Sequence, residues 1–158
     1  MDDAPAPPAS VTIAEAQAED APAIAAIHLT ARQQAMPYLH RAHTDEETRG
    51  YFARVVADRP QAWWTVRQQD NVVAYMLIDR ESLDHLYVSP RWQGRGLGSA
   101  LLGKAKALSP RRLILWTFQR NDRARAFYEA RGFHSIKQTN GENEEREPDV
   151  QYEWQGAS

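Results

Sequence analysis

The sequence contains no cysteine among its 158 residues. This absence excludes a disulfide framework, a thiolate zinc site and a cysteine nucleophile. Long apolar runs are also missing: none approaches the ~18 residues that a membrane span needs, and the mean hydropathy is −0.66. The N-terminus has no basic and apolar signal segment. We therefore expect a soluble, cytoplasmic protein with no membrane partner, in which no acyl group is carried on a cysteine.

Neither sign of charge dominates the whole chain, but the distribution is uneven. Nineteen Lys and Arg stand against 21 Asp and Glu, a net charge of −2. Between Arg91 and Arg131, ten basic residues stand against two acidic ones, so this segment carries +8 and the rest −10. A segment of this kind suits a polyanionic ligand, and the acidic remainder suits a cationic one.

The order of predicted elements indicates an α/β protein. Residues 1–10 are rich in Pro and Ala and predict a disordered tail, followed by a single domain over 11–158. Caps and apolar spacing predict four helices, and alternation predicts strands that include an antiparallel meander between 62 and 88. The helices are expected at about 21–34, 44–57, 97–105 and 124–131, and the strands at 11–13, 63–66, 72–78, 83–88, 113–118, from 133, and 149–154.

A glycine-rich segment, 93–99, follows a predicted strand and opens a predicted helix. Its glycines let the backbone turn tightly and leave N–H groups free at a helix N-terminus, which is a favourable place for phosphate. A dinucleotide fingerprint does not fit, because Ser99 stands where the third glycine is needed. A Walker A loop does not fit either, because Ala105 replaces the hydroxyl residue.

Two motifs together resemble the GNAT superfamily of N-acetyltransferases. The acetyl-CoA loop of that family, Gln/Arg-x-x-Gly-x-Gly/Ala, is similar to Gln93, Gly96 and Gly98. The downstream family pattern Asn-x-x-Ala-x-x-Phe-Tyr, followed by Gly-Phe, is similar to the segment 121–133. The resemblance implies a GNAT fold, a mixed, mostly antiparallel sheet flanked by helices. It also implies acetyl-CoA as donor, CoA as product, no metal and a primary amine of a small molecule or peptide as acceptor.

The resemblance also implies roles for particular residues. Tyr128 is expected to be the general acid that protonates the leaving CoA thiolate. The strand before the loop is expected to receive the pantetheine arm on its backbone, and the loop amides the pyrophosphate. The expected cofactor-binding residues are Leu86, Tyr87, Val88, Gln93, Gly94, Arg95, Gly96, Leu97, Gly98, Ser99, Asn121, Arg123 and Tyr128.

The general base and the acceptor site are less defined by the sequence. Glu81, Asp84 and His85 are candidate bases, and a water chain is an equal alternative. Asp84 and His85 point to opposite faces of a strand unless a bulge intervenes. Candidate acceptor residues lie in the predicted connection between the first two helices, on a tryptophan strand and in an acidic stretch near the C-terminus. They are Tyr38, His40, His43, Trp64 and Glu144.

Two other classes of function compete with an acetyltransferase. A non-catalytic module that senses or scaffolds CoA would need Gly96 and Gly98 but not Tyr128. A nucleic-acid-binding protein would use the basic segment, but those cations surround the glycine-rich loop and not an exposed aromatic groove, so we expect no nucleic-acid partner. A homodimer that pairs through the last strand and the tryptophans is an expectation by analogy only.

Overall fold

The structure is a computed structural model that describes residues 10–157. The predicted disordered tail, residues 1–10, lies outside the described residues except for Ser10. The helices are α1 (Ala21–Ala35), α2 (Asp45–Asp58), α3 (Leu97–Leu108) and α4 (Asp122–Glu129). The strands are β1 (Val11–Glu15), β2 (Trp63–Gln68), β3 (Asn71–Asp79), β4 (Ser82–Val88), β5 (Arg112–Phe118), β6 (His134–Gln138) and β7 (Asp149–Gln155).

The strands form one seven-stranded sheet in the order β1-β2-β3-β4-β5-β7-β6. Every neighbouring pair is antiparallel except β4 and β5. The prediction of a mixed, mostly antiparallel α/β fold is therefore confirmed. No helix within residues 10–157 is both long and apolar enough to cross a bilayer.

The helix boundaries follow from local capping. At the start of α2, the Thr44 hydroxyl accepts from the Glu47 amide at 3.1 Å, and the Glu47 carboxylate accepts from the Thr44 amide at 2.9 Å. This is the capping box that the sequence predicts. Helix α4 begins two residues earlier than predicted, because the Asn121 side chain accepts from the Ala124 amide at 3.2 Å and caps the helix.

Two apolar cores lie on opposite faces of the sheet. One lies beneath α1 and α2 and includes Ile24, Phe52 and Trp63. The other lies beneath α3 and α4 and includes Leu101 and Tyr152. Each helix pair therefore shields one face, and residues on the central strands reach one core or the other according to their orientation.

A bulge in β4 determines which side chains reach each core. Leu77 of β3 pairs with His85, but the next residue, Ile78, pairs with Leu83, so Asp84 is the extra residue. An inserted residue resets the alternation of side chains. Leu83 packs in the α3/α4 core, whereas His85 lies against Phe52 on the α1/α2 side.

Strands β4 and β5 separate soon after they meet. Their only register pair among the described residues is Ser82 with Ile114, supported by the Ile114 amide donating to Glu81 O at 2.8 Å. The rest of β4 has no strand neighbour on that side. The middle of the sheet thus carries a wedge-shaped opening beside the C-terminal half of β4.

Candidate active site

The glycine-rich segment forms a tight turn at the start of α3. Gly94 and Gly96 have φ angles of +76° and +80°, in the left-handed region that favours glycine. Within residues 10–157, no protein acceptor bonds the amide N–H groups from Gly94 through Ser99. These free donors at the positive end of a twelve-residue helix suit a pyrophosphate.

Side chains connect this loop to the end of β4. The side-chain nitrogen of Gln93 donates to Val88 O at 3.2 Å, and Arg123 of α4 donates to the Gln93 side-chain oxygen at 3.5 Å. Asn121, besides capping α4, donates to the Met36 sulfur at 3.4 Å. The predicted cofactor residues of β4, the loop and α4 are thus brought together around the wedge-shaped opening.

Helices α3 and α4 are connected by Arg131, which the sequence interpretation did not single out. Its guanidinium donates to the Ser99 hydroxyl at 2.8 Å and lies 3.9 Å from the Phe127 ring centroid. A Cβ on Gly98 would come within 3.5 Å of Phe127 and 3.7 Å of Leu86, which are ordinary contacts. The spacing of four between Phe127 and Arg131 is the signal that indicates this pair.

Tyr128, the predicted general acid, is buried near the opening. Its ring lies 5.4 Å from Phe133 and 5.1 Å from Phe127. Burial first, and then the neighbouring Tyr87, raise the pKa of the Tyr128 hydroxyl above its usual value. The hydroxyl therefore keeps its proton at neutral pH and has one to donate.

A cavity of about 1100 Å³ lies on the α1/α2 side of the sheet. Its walls are α1, the α1–α2 connection, α2, His85 of β4 and the pair Glu144 and Glu145 between β6 and β7. His85 belongs to β4, whose C-terminal half borders the wedge-shaped opening. The cavity and the glycine-rich loop therefore flank the same strand.

Three side chains form a hydrogen-bonded chain beside this cavity. The Tyr75 hydroxyl of β3 lies 3.0 Å from Nδ1 of His28 and 3.0 Å from Nδ1 of His85. Nε2 of His28 lies 3.4 Å from the Arg32 guanidinium. The sequence analysis singled out none of His28, Arg32 and Tyr75. No local pattern predicts these contacts, because the three partners lie on α1, β3 and β4.

The three candidate bases occupy different positions. Glu81 lies in the β3–β4 turn, 3.7 Å from Arg112. Asp84 is the exposed bulge residue, and its carboxylate accepts from the Ser82 hydroxyl at 2.5 Å. His85 lines the cavity. Burial, followed by the charge of Arg32, lowers the pKa of His85 to about 4, so its ring is neutral at pH 7.

The candidate acceptor residues are only partly brought together. His40, His43 and Glu144 line the cavity, with His43 Nε2 3.2 Å from the Glu144 carboxylate. Tyr38 is stacked under Arg120, whose guanidinium lies 3.8 Å from its ring centroid. Trp64 packs against the α3/α4 core, with Lys104 4.5 Å from its ring, on the other face of the sheet.

Part of the acidic stretch has a structural role. The buried Glu147 carboxylate accepts two hydrogen bonds from Arg120, at 2.7 and 2.8 Å. The Arg120 hydrogen bonds hold the pKa of Glu147 below its usual value. This pair holds the β6–β7 connection against Tyr38 and leaves Glu144 exposed at the cavity. In the described part of the chain, no cluster of three acidic or histidine side chains is arranged for a metal ion.

The sequence matches the model of the acetyltransferase (GNAT) family over residues 17–133. The chain belongs to the GNAT family. The matched region runs from before α1 to the start of β6, so it includes the glycine-rich loop, the β4–β5 opening and Tyr128.

Curated GNAT relatives match over shorter stretches. A probable N-acetyltransferase of Mycobacterium tuberculosis is 42% identical over 57 residues, 35% of this chain and 33% of that protein. The peptidyl-lysine N-acetyltransferase YjaB of Salmonella typhimurium is 35% identical over 71 residues, 45% of this chain and 48% of that protein. The chain thus spans between a third and half of the length of these relatives.

Solved structures share the fold over nearly the whole chain. The apo form of YjaB from Escherichia coli superposes with a TM-score of 0.73 at 22% identity, covering 93% of this chain and 99% of that one. The PaiA N-acetyltransferase from Thermoplasma acidophilum, in complex with coenzyme A, has a TM-score of 0.73 at 15% identity, covering 92% and 99%. At these identities, the likeness establishes the GNAT fold.

Proposed function

We propose that this GNAT protein transfers the acetyl group of acetyl-CoA to a primary amine of a small molecule or peptide, by direct attack in a ternary complex. One observation carries the proposal. A glycine-rich loop with free amides and the cavity that contains His85 flank the same strand, β4, beside its opening from β5. A donor on one side and an acceptor on the other would meet at this strand.

The loop and the opening fit the parts of acetyl-CoA. The amides of residues 94–99 would bind the pyrophosphate, and Arg95 of the loop and Arg123, which donates to Gln93, would add positive charge. The C-terminal half of β4, without a strand neighbour on the β5 side, offers its backbone to the pantetheine arm. When bound, acetyl-CoA supplies the thioester whose acetyl group is transferred.

The protein's contribution to the chemistry is the movement of two protons. As the C–N bond forms and the C–S bond breaks, the Tyr128 hydroxyl would donate its proton to the leaving sulfur. The attacking amine must lose a proton to a base, and His85 is the one predicted base that lines the cavity. Help from a general acid accelerates such reactions by about 10²–10⁴-fold.

The nature of the acceptor is supported by a relative and by charge. YjaB is a peptidyl-lysine N-acetyltransferase, so a lysine side chain is the first acceptor to test. The exposed Glu144 and its neighbour Glu145 at the cavity would attract a cationic amine. A cytoplasmic location and a homodimer stay predictions.

The test is thiol release from acetyl-CoA with lysine peptides, polyamines, aminoglycosides and amino acids as acceptors. We expect Tyr128→Phe to lower kcat by about 10²-fold or more while acetyl-CoA binding is unchanged. Tyr152→Phe is the matched control, because it removes another buried tyrosine hydroxyl beside the same helix, one whose partners are Arg125 and Glu129 of α4.

The same assay separates the competing functions. If acetyl-CoA binds but no amine in the panel releases thiol above background, the enzyme proposal is wrong and a CoA-sensing module takes its place. If Tyr128→Phe and Tyr152→Phe have equal rates, the general-acid role of Tyr128 is wrong, although the activity itself stands.

A further inference from the structure

The hydrogen-bonded chain of His28, Tyr75 and His85 joins three elements on the cavity side of the sheet. The Tyr75 hydroxyl is 3.0 Å from Nδ1 of each histidine. Tyr75 is fully buried, and both histidines line the cavity. A buried phenol therefore connects two imidazole rings that both line the same cavity.

A single hydroxyl between two ring nitrogens restricts their protonation. The hydroxyl has one hydrogen to donate, so it donates to one Nδ1 and accepts from the other. The two neutral histidines must then be opposite tautomers. If His28 carries its hydrogen on Nδ1, His85 carries its own on Nε2, and the reverse also holds. A change at one ring thus requires a change at the other.

The residues around the three hydrogen-bonded side chains disfavour a stable charge on any of the three. Phe52 and Trp63 enclose the rings, with centroids 4.9 Å from His28 and 5.6 Å from His85, respectively. Burial, then the charges of His85 and Arg32, lower the pKa of His28 to about 3. The other titratable groups that act on the three side chains are Arg32 of α1 and Tyr87 of β4. Glu145 of the β6–β7 connection pairs with Arg32 at 3.5 Å.

These observations disfavour His85 as an isolated base. An isolated base would have to hold an imidazolium in a buried, aromatic site next to the Arg32 cation. A chain that passes a proton on avoids this cost, since each member loses one proton as it gains another.

We propose that His28 and Tyr75 act with His85 as a proton relay that removes a proton from the acceptor amine in the cavity. This inference rests on the proposed acetyltransferase function and assigns His28 and Tyr75 to it. The proton enters at Nε2 of His28, which passes its Nδ1 hydrogen to the Tyr75 oxygen. Tyr75 passes its hydroxyl hydrogen to Nδ1 of His85, and His85 releases its Nε2 hydrogen to water in the cavity. One proton enters, one leaves, and the relay stays neutral.

Arg32 gives the relay a direction. A guanidinium has only donors, so its 3.4 Å contact with Nε2 of His28 requires that nitrogen to be an acceptor. This is the state of His28 that can accept a proton at Nε2. Arg32 therefore stabilises the starting state of the relay. In the free protein, we expect His28 to carry hydrogen on Nδ1 and His85 on Nε2.

The first test is the rate of thiol release in Tyr75→Phe, which removes the bridging hydroxyl and keeps the ring. We expect kcat with the best acceptor to fall by about 10²-fold, while the dissociation constant for acetyl-CoA is unchanged. Thr65→Val is the matched control. Thr65 is buried and pairs with Tyr75 in the sheet. Its replacement by valine removes one hydrogen bond, which the Thr65 hydroxyl donates to Ala14 O at 3.1 Å. The relay is refuted if Tyr75→Phe retains the rate of Thr65→Val.

The second test needs no turnover. Nitrogen-15 NMR of the histidine rings in the free protein distinguishes the two tautomers, and we expect opposite tautomers for His28 and His85. Identical tautomers in the wild-type protein refute the hydrogen-bonded relay. The two proposals fail separately: absence of turnover with any amine contradicts the acetyltransferase function, whereas turnover that survives Tyr75→Phe contradicts the relay alone.

Discussion

At the residue scale, His28 and His85 couple folding to pH. Both have a folded-state pKa far below the ordinary value of 6.5, about 3 for His28 and about 4 for His85. Between these values and 6.5, the unfolded chain binds more protons than the folded one. Their contribution to stability is therefore fully present above pH 6.5 and is lost as the pH falls.

We expect acidification to pH 5 to lower the free energy of unfolding by up to about 2 kcal/mol for each of these two histidines. Urea unfolding at pH 7.5 and pH 5 measures this change. His28→Gln should remove about half of it, whereas replacing the exposed His134 by Gln should leave it unchanged. An unaltered pH dependence in His28→Gln would show that this ring is not the source.

Residue-scale sequence interpretation succeeded where a motif is local, as in the capping box of Thr44 and Glu47. It missed the cap that Asn121 forms, and the roles of Asn121 and Gln93 toward acetyl-CoA stay predictions. The sequence analysis considered a bulge near Asp84 but could not predict it, because a bulge depends on how the partner strand pairs. The bulge decides that His85, and not Asp84, lines the cavity.

At the element scale, the start of α3 depends on two backbone conformations that side chains rarely adopt. An added Cβ on Gly96 would meet no atom within 4 Å, so only the positive φ angle makes alanine unfavourable at this position. That conformation costs about 1–2 kcal/mol for a residue with a Cβ. Gly50, inside α2, also has open space around it, and there alanine favours the helix by up to about 1 kcal/mol.

We expect Gly96→Ala to lower the free energy of unfolding by about 1–2 kcal/mol and to weaken acetyl-CoA binding, because the strained turn displaces the phosphate-binding amides. Gly50→Ala should raise the free energy of unfolding and leave acetyl-CoA binding unchanged. Urea unfolding and calorimetric titration measure both quantities. Equal acetyl-CoA affinity in the two variants would contradict the role of the loop.

At the scale of the whole molecule, the sheet consists of two antiparallel parts that meet at the short β4–β5 contact. A ligand in the opening would contact β4, the loop and α4, so it would stabilise the region where the two parts of the sheet meet. A ligand at 100 times its dissociation constant stabilises a protein by about 2.7 kcal/mol. For a chain of this size, that corresponds to a rise in Tm of about 5–10 °C.

We expect acetyl-CoA to produce such a rise in Tm and to protect the amides of residues 86–88 and 94–99 from hydrogen exchange. Acetylated pantetheine, which lacks the pyrophosphate, is the matched ligand. It should protect β4 but leave the loop amides exchanging. Protection confined to other regions would contradict the proposed position of acetyl-CoA.

The sequence by itself determined the features that depend on neighbours along the chain. The sequence predicts the alternation of apolar and polar residues in the strands, the Thr44 capping box and the glycine-rich loop, because each depends on a few consecutive residues. The family motifs are of the same kind, since they occupy a short loop and one helix. From them follow the fold and the position of the candidate cofactor site.

Only the tertiary structure decided which distant side chains meet. His28 and Tyr75 are 47 residues apart, and Arg120 reaches Glu147 across 27. Hydropathy and spacing fix which face of an element is buried, but not which polar group on another element lies opposite it. The cavity-side relay therefore became visible once α1, β3 and β4 were packed together, because its function depends on distances between elements and not on their sequence.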